Sequence, residues 1–153
     1  MKPHINKIIT IAASILISGC SHFNGETTMR AQKNPAIYFE IPVTDMRRAK
    51  AFYEAVFGYD FALGTIHGNE MAFLPFEKGA TGITGALAKG NTYKPSINGS
   101  LVYLRVDDIN QTIVLAIKHG GKELFPRTAA DEYGFVAEIE DSEGNRIGLS
   151  ESE

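Results

Sequence analysis

The chain has 153 residues, of which 44% are hydrophobic and 22% are charged, and its net charge at neutral pH is −3. These values are typical of one soluble globular domain. The acidic balance provides no basic surface for a nucleic-acid backbone, so we expect no nucleic-acid partner. The sequence contains one cysteine, so an internal disulfide bond cannot form.

The N-terminal segment has the layout of a bacterial export signal. Its first seven residues contain two lysines and no acidic residue. The apolar run IITIAASILI follows at residues 8–17, and the segment ends at Cys20. That run is too short for a membrane span. The motif ISGC resembles the lipobox of bacterial lipoproteins, which implies removal of residues 1–19 and lipid attached to Cys20. In such families Ser21, in place of aspartate, favours the outer membrane, so we expect a lipid-anchored envelope protein on the periplasmic side.

The rest of the chain divides into a tether and a domain. Residues 20–35 are polar and without periodicity, which is typical of a flexible tether. Residues 36–152 contain two segments with the same order of strand, short break, amphipathic helix and glycine. These segments are residues 37–61 and 100–124, separated by a constant offset of 63 residues. A shared register over most of the domain indicates an internal duplication.

Hydrophobic periodicity predicts a βαβββ order in each half, about 36–90 and 99–152. The first half is predicted to contain a strand, a helix capped by Asp45 or Thr44 and stopped by Gly58, and three strands. The strands are 36–43, 59–66, 70–76 and 82–88. The second half is predicted to contain a helix at 109–119, a loop at 125–133, a tight turn at 141–145, and strands at 101–106, 122–124, 135–140 and 146–150. The predicted fold class is therefore α+β.

Four segments of the domain carry a family resemblance: FEIPVTDMRRAKAFYEAVFGYDF, GALAKG, VYLRVDD and GFVAEIEDSEGNRIGL. They resemble the vicinal oxygen chelate superfamily, which includes glyoxalase I, bleomycin-resistance proteins and extradiol dioxygenases. The resemblance covers about residues 36–150 and is closest to a glyoxalase-like branch of lyase-related proteins. It implies tandem βαβββ modules whose sheets curl into a partial barrel, with the two halves together enclosing a cup.

The resemblance also implies where a metal would bind. Metal-using members place four ligands, His, Gln or Glu, on the first and last strands of each half. The matching positions in this chain are Tyr38, Gly85, Leu101 and Gly148. None of them offers the imidazole, thiolate or carboxylate that Zn²⁺, Ni²⁺ and Fe²⁺ prefer. We therefore predict no cofactor and no metal-dependent isomerisation or ring cleavage of the usual kind. A divalent metal held by ligands outside the family pattern stays open.

Polar groups are still expected in the cup. Side chains two apart on a strand share a face, so Tyr38 and Glu40 should both point inward, with Tyr103 matching Glu40 in the repeat. Glu40 is the candidate general base, and the two tyrosines are candidates to orient a carbonyl or a phenol. Arg146 joins them from the last strand. The predicted ligand-binding residues are Tyr38, Glu40, Gly85, Leu101, Tyr103, Arg146 and Gly148, with the two glycines enlarging the pocket.

Three functions stay open at this point. The chain is a metal-independent enzyme of lyase or isomerase type, a non-catalytic module that sequesters a small molecule as bleomycin-resistance relatives do, or an envelope protein with a vestigial site. Glu40 has a structural alternative, which is an ion pair with Arg105 or Arg146. The expected partners are a small-molecule ligand, the membrane through the lipid on Cys20 only, and a second copy of the chain in a homodimer that completes the cup.

Overall fold

The structure is a computed structural model that describes residues 35–152, so the predicted signal peptide and Cys20 lie outside the described residues. The predicted βαβββ order is confirmed in both halves. The first half contains β1 Tyr38–Pro42, α1 Met46–Phe57, β2 Ala62–Ile66, β3 Asn69–Phe73 and β4 Thr84–Lys89. The second contains β5 Val102–Arg105, α2 Ile109–Lys118, β6 Lys122–Ala129, a 3₁₀ turn Asp131–Tyr133, β7 Phe135–Glu140 and β8 Arg146–Glu151.

Each half forms one four-stranded mixed sheet. The strand orders are β1-β4-β3-β2 and β5-β8-β7-β6, with β1–β4 and β5–β8 parallel and the other pairs antiparallel. Pro42 ends β1 at a sheet edge, where proline is tolerated because it has no N–H to donate to a ladder. The architecture is α+β, and the described residues form no closed barrel.

Helix α1 forms where local signals predict it. The Asp45 side chain accepts a 3.0 Å hydrogen bond from the backbone N–H of Arg48 and so caps the first turn. Gly58 ends the helix with φ of 68°, a left-handed conformation that glycine adopts without steric cost. The apolar residues at helical spacing on α1 are buried: Ala49, Phe52, Tyr53 and Val56. No helix in the described part of the chain is long and apolar enough to cross a membrane.

One hydrophobic core lies on the helix side of both sheets. Ile41 and Leu87 from the first sheet join Ile139 and Leu149 from the second, together with the buried faces of both helices. The opposite face of each sheet, here called the outer face, carries Tyr38 on β1 and the corresponding side chains of β5. The two halves pack against each other through their helix sides, and the tandem βαβββ architecture agrees with the partial-barrel fold that the resemblance implies.

The β7–β8 turn, residues 141–145, ties the second half to the first. The Asn145 side-chain amide donates to the carbonyl oxygen of Pro42 at 2.9 Å. The Glu143 carboxylate accepts the backbone N–H groups of Thr44 and Asp45 at 2.8 and 3.0 Å. These bonds satisfy backbone groups at the end of β1 and the start of α1, and they hold the two halves in one orientation.

Strand β6 is the clearest departure from the predicted elements. The sequence predicts a loop at residues 125–133, whereas β6 continues to Ala129 and is followed by the 3₁₀ turn. The pairing of β6 with β7 shifts register on both sides of Phe125. An edge strand with such irregularities tolerates Pro126 and lacks the regular alternation on which the prediction depended.

Candidate functional site

A cleft of about 550 Å³ lies between the two halves, where the start of β1 approaches β5. Tyr38 and Phe39 from β1 and Tyr59 from the segment after α1 form its aromatic part. Tyr103 and Arg105 face it from β5. The volume is in the range of small-molecule sites, and aromatic walls with a few polar groups are the usual lining of such sites.

The cleft brings together three of the predicted site residues, Tyr38, Leu101 and Tyr103. Tyr38 is 40% exposed and Tyr103 is 48% exposed, so both rings present surface to a ligand. Burial raises the pKa of Tyr38, and the nearby Glu40 carboxylate raises it further. The Tyr38 hydroxyl therefore keeps its proton at neutral pH, and it can act as a hydrogen-bond donor.

Glu40 and Arg146 line a different, smaller cleft of about 290 Å³. Glu40 is exposed and accepts a 2.6 Å hydrogen bond from the Tyr93 hydroxyl. Arg146 makes two 2.7 Å hydrogen bonds to the carboxylate of Glu138. The ion pair that was the structural alternative for Glu40 does not form within the described residues, and Glu40 lines the smaller cleft although its carboxylate lies near the Tyr38 hydroxyl.

Gly85 faces the helix side of its sheet, which corrects the prediction that it enlarges the pocket. Its partner on β1 is Phe39, and its neighbour two positions along, Leu87, belongs to the core. A Cβ at Gly85 would lie 2.3 Å from the Phe39 carbonyl oxygen and 2.7 Å from the Phe39 ring. Glycine is needed here for close strand packing, and the space is filled by Phe39.

Gly148 lies on the outer face, beside Tyr103. A Cβ there would lie 2.6 Å from the Tyr103 ring, so this ring occupies the space that was expected to enlarge the pocket. In the first half the residue beside Glu40 on the outer face is Ala86. Positions of β5 therefore correspond to positions of β1 at an offset of 63 residues, whereas positions of β8 correspond to positions of β4 at an offset of 62. A shift of one residue moves a side chain to the opposite face of its strand.

The described residues do not fit the superfamily's metal site. With the corrected register, the four family positions hold Tyr38, Ala86, Leu101 and Gly148, and a single phenol among them is a poor donor set for Zn²⁺, Ni²⁺ or Fe²⁺. Within residues 35–152 no three His, Cys, Asp or Glu side chains lie close enough together to hold a metal ion. No chemical step is therefore assigned to a metal at these positions.

Tyr93 is a site residue that sequence reasoning missed. It belongs to the predicted linker between the halves, and it packs on the outer face of the first sheet against a small buried cluster. The cluster consists of Met71, Ala86 and Ala88. The available signal was a single aromatic residue in the polar segment KGNTYKPSING, which has no periodicity to show where it docks.

The fold and the cleft define a class: a duplicated βαβββ protein with an aromatic cleft between its halves. A family model described as bleomycin resistance protein-like N-terminal matches residues 36–73. A glyoxylase-like domain-containing protein of Didymella fabae is 36% identical over 88 residues, which cover 56% of this chain and 67% of that protein. The chain belongs to the vicinal oxygen chelate superfamily, the glyoxalase, bleomycin-resistance and dioxygenase group.

Solved structures share this fold. TnmS3, an antibiotic binding protein from Streptomyces sp. CB03234, is 26% identical with a TM-score of 0.56, covering 80% of this chain and 98% of that one. A glyoxalase/bleomycin resistance protein/dioxygenase family enzyme from Burkholderia phytofirmans PsJN is 18% identical with a TM-score of 0.56, covering 76% of this chain and 97% of that one. The second likeness concerns the fold alone.

Proposed function

We propose that this protein binds a small organic molecule, without transforming it, in the cleft between β1 and β5. The observation that carries the proposal is the convergence of Tyr38 and Tyr103, from equivalent strands of the two halves, on one cleft of about 550 Å³. The similarity to an antibiotic binding protein and to a bleomycin resistance-like family supports binding as the activity.

Aromatic side chains would provide most of the affinity. Tyr38 and Tyr103 can stack on a planar ligand, and an aromatic pair contributes about 0.5–1.5 kcal/mol beyond its buried area. The Tyr38 hydroxyl can donate to a ligand oxygen, since it stays protonated. Leu101 and Leu74 line the same cleft and exclude water from the apolar part of the ligand.

The alternative is a metal-independent enzyme of lyase or isomerase type with Glu40 as general base. A general base must lie within hydrogen-bond reach of the substrate proton. Glu40 lines the smaller cleft, is exposed, and is hydrogen-bonded to Tyr93. The geometry therefore favours binding over catalysis by this carboxylate.

A titration of the purified protein with 2-naphthoate, followed by calorimetry, tests the proposal. Replacement of Tyr103 by alanine should weaken binding about tenfold, because a stacking wall of the cleft is lost. Tyr133, which is 71% exposed outside the cleft, is the matched control, and Tyr133→Ala should leave the affinity unchanged. Glu40→Gln should also bind normally. Equal affinity of the Tyr103→Ala variant and the wild-type protein would overturn the proposed site. Chemical conversion of the probe by the wild-type protein that is lost in Glu40→Gln would favour the alternative of a metal-independent enzyme.

We also propose that the protein is anchored in the cell envelope by lipid on Cys20, on the basis of the sequence pattern of residues 1–20. Expression in a bacterial host with labelled palmitate should label the wild-type chain and leave Cys20→Ser unlabelled. The mass of the purified protein should correspond to loss of residues 1–19 plus added lipid. An unmodified chain that retains residues 1–19 would contradict the anchor.

A homodimer is a further proposal for the outer faces. These faces expose Tyr38, Tyr103 and, on β6, Phe125 at 40%, 48% and 41%. Exposed aromatic residues are typical of surfaces that bind another molecule, and a second copy of the chain would close the open side of the cleft around a ligand that still contacts Tyr38 and Tyr103. Sedimentation equilibrium should give twice the chain mass, whereas a monomer at all concentrations would contradict the proposal.

A further inference from the structure

The lining of the proposed binding cleft contains one formal charge. Of the described residues that line it, Arg105 alone carries a formal charge, and the others are aromatic, aliphatic, glycine, proline or threonine. Strand alternation places Arg105 on the outer face with Tyr103, while Leu104 between them is buried in the core. Arg105 also borders a neighbouring cleft of about 290 Å³ beside the start of α2.

Three of the other four arginines in the described part of the chain have carboxylate partners. Arg48, Arg127 and Arg146 each make a 2.7 Å contact with a glutamate. Within residues 35–152, Arg105 forms no such ion pair. Its guanidinium group therefore has donor capacity to offer a ligand, in a fork geometry that matches a carboxylate, sulfonate or phosphate.

We infer that the cleft selects a planar aromatic ligand that carries an anionic group, and that Arg105 is the residue that recognises this charge. The inference rests on the proposed binding function of the cleft and adds the class of ligand. Tyr38, Tyr59 and Tyr103 provide the surface for the aromatic part. A carboxylate at one edge of the ligand then reaches Arg105 at the β5 side.

Three probes of matched size and different charge test the inference in calorimetric titrations of the purified protein: 2-naphthoate, 2-naphthamide and 2-naphthylmethylammonium. The wild-type protein should bind the anion about tenfold more tightly than the neutral amide, and the cation most weakly, because a charge-assisted bidentate contact is stronger than a neutral one. In Arg105→Gln the preference for naphthoate over naphthamide should disappear, while Arg105→Lys should retain part of it.

The control is Arg47→Gln, the same substitution on the exposed side of α1, which should leave the preference unchanged. Equal affinities of the wild-type protein for naphthoate and naphthamide would overturn the inference and leave the proposed binding function in place. A preference that persists in Arg105→Gln would also overturn it. Failure of all three probes to bind would overturn the proposed function and the inference together.

Discussion

The hydroxyl of Tyr53 on α1 donates a 2.9 Å hydrogen bond to the carboxylate of Asp141 in the β7–β8 turn, across 88 residues of sequence. Tyr53 is fully buried and Asp141 is 2% exposed. Burial raises the pKa of Tyr53, so its phenol stays neutral, and burial also raises the pKa of Asp141, against the effect of two hydrogen bonds that Asn145 donates to the Asp141 side chain. This contact joins the halves and so maintains the geometry of the cleft between them.

Replacement of Tyr53 by phenylalanine should reduce the free energy of unfolding by about 1–3 kcal/mol, because a buried carboxylate loses one of its donors. The ring remains, so packing is preserved. Urea denaturation measures the change. Tyr133→Phe, at a 71% exposed position, should stay within about 0.5 kcal/mol of the wild type. Equal stability of the two variants would contradict the assigned role of the Tyr53 hydroxyl.

Glu143 should make stability depend on pH. Its side chain is fully covered. Burial alone would raise its pKa, but hydrogen bonds from Arg48, Asp45 and Thr44 outweigh that effect and lower the pKa below 4.5. Because the pKa of Glu143 is lower in the folded state than in the unfolded state, the stabilisation is fully present above about pH 4.5. It is lost as the pH falls through the folded-state pKa.

The substitution Glu143→Gln should therefore be less stable than the wild type near neutral pH and lose less stability between about pH 5 and about pH 3. Melting temperatures across this range measure both effects. The contribution of Asp141 has the opposite sign, since its pKa is raised, and it is present in both proteins. Glu132→Gln, at an exposed position, should follow the wild-type curve. If the melting temperatures of Glu143→Gln and the wild type change with pH in parallel, the predicted direction of the pH dependence is contradicted.

Two glycine substitutions should have different consequences. Gly85→Ala places a methyl group 2.3 Å from a backbone carbonyl oxygen of Phe39, which cannot move without breaking the β1–β4 ladder. We expect a loss of about 2–4 kcal/mol. Gly148→Ala meets the half-exposed Tyr103 ring at 2.6 Å, and this ring can rotate away. We expect a loss of about 1 kcal/mol together with altered naphthoate affinity. Equal losses would contradict this distinction.

Tyr93 should stabilise the outer face of the first sheet mainly through its ring. Removal of the ring in Tyr93→Ala uncovers Met71, Ala86 and Ala88 and should cost about 2 kcal/mol. Tyr93→Phe loses only the exposed hydrogen bond to Glu40 and should cost less than about 1 kcal/mol. Thermal unfolding of the pair measures the difference. A larger cost for Tyr93→Phe would show that the hydrogen bond, and not packing, matters most.

Much of the fold is predictable from local patterns. The cap at Asp45, the glycine at 58 and the apolar stripe between them define α1 without reference to the rest of the chain. Strand β7 occupies the predicted residues 135–140. Strand β6 is not predictable in the same way, because an irregular edge strand with a proline has neither alternation nor a paired partner on both sides.

The candidate site is less predictable, because it depends on register and on contacts between distant segments. The repeat aligns Gly85 with Gly148, but a one-residue difference between the halves places them on opposite faces. The docking of Tyr93 on Glu40 joins residues 53 positions apart. Periodicity describes one element at a time, so it places Tyr103 and Arg105 on one face of β5 but does not show that Tyr38 and Tyr59 line the same cleft.

The most direct test of the proposed cleft is a two-dimensional NMR titration of the ¹⁵N-labelled protein with 2-naphthoate. The predicted result is that the largest amide shifts fall at residues 36, 38, 39, 81–84 and 101–105, which line the cleft. Shifts that instead concentrate around Glu40, Lys94 and Arg146 would place the ligand in the smaller cleft. That outcome, or the absence of any shift at saturating probe, would contradict the account.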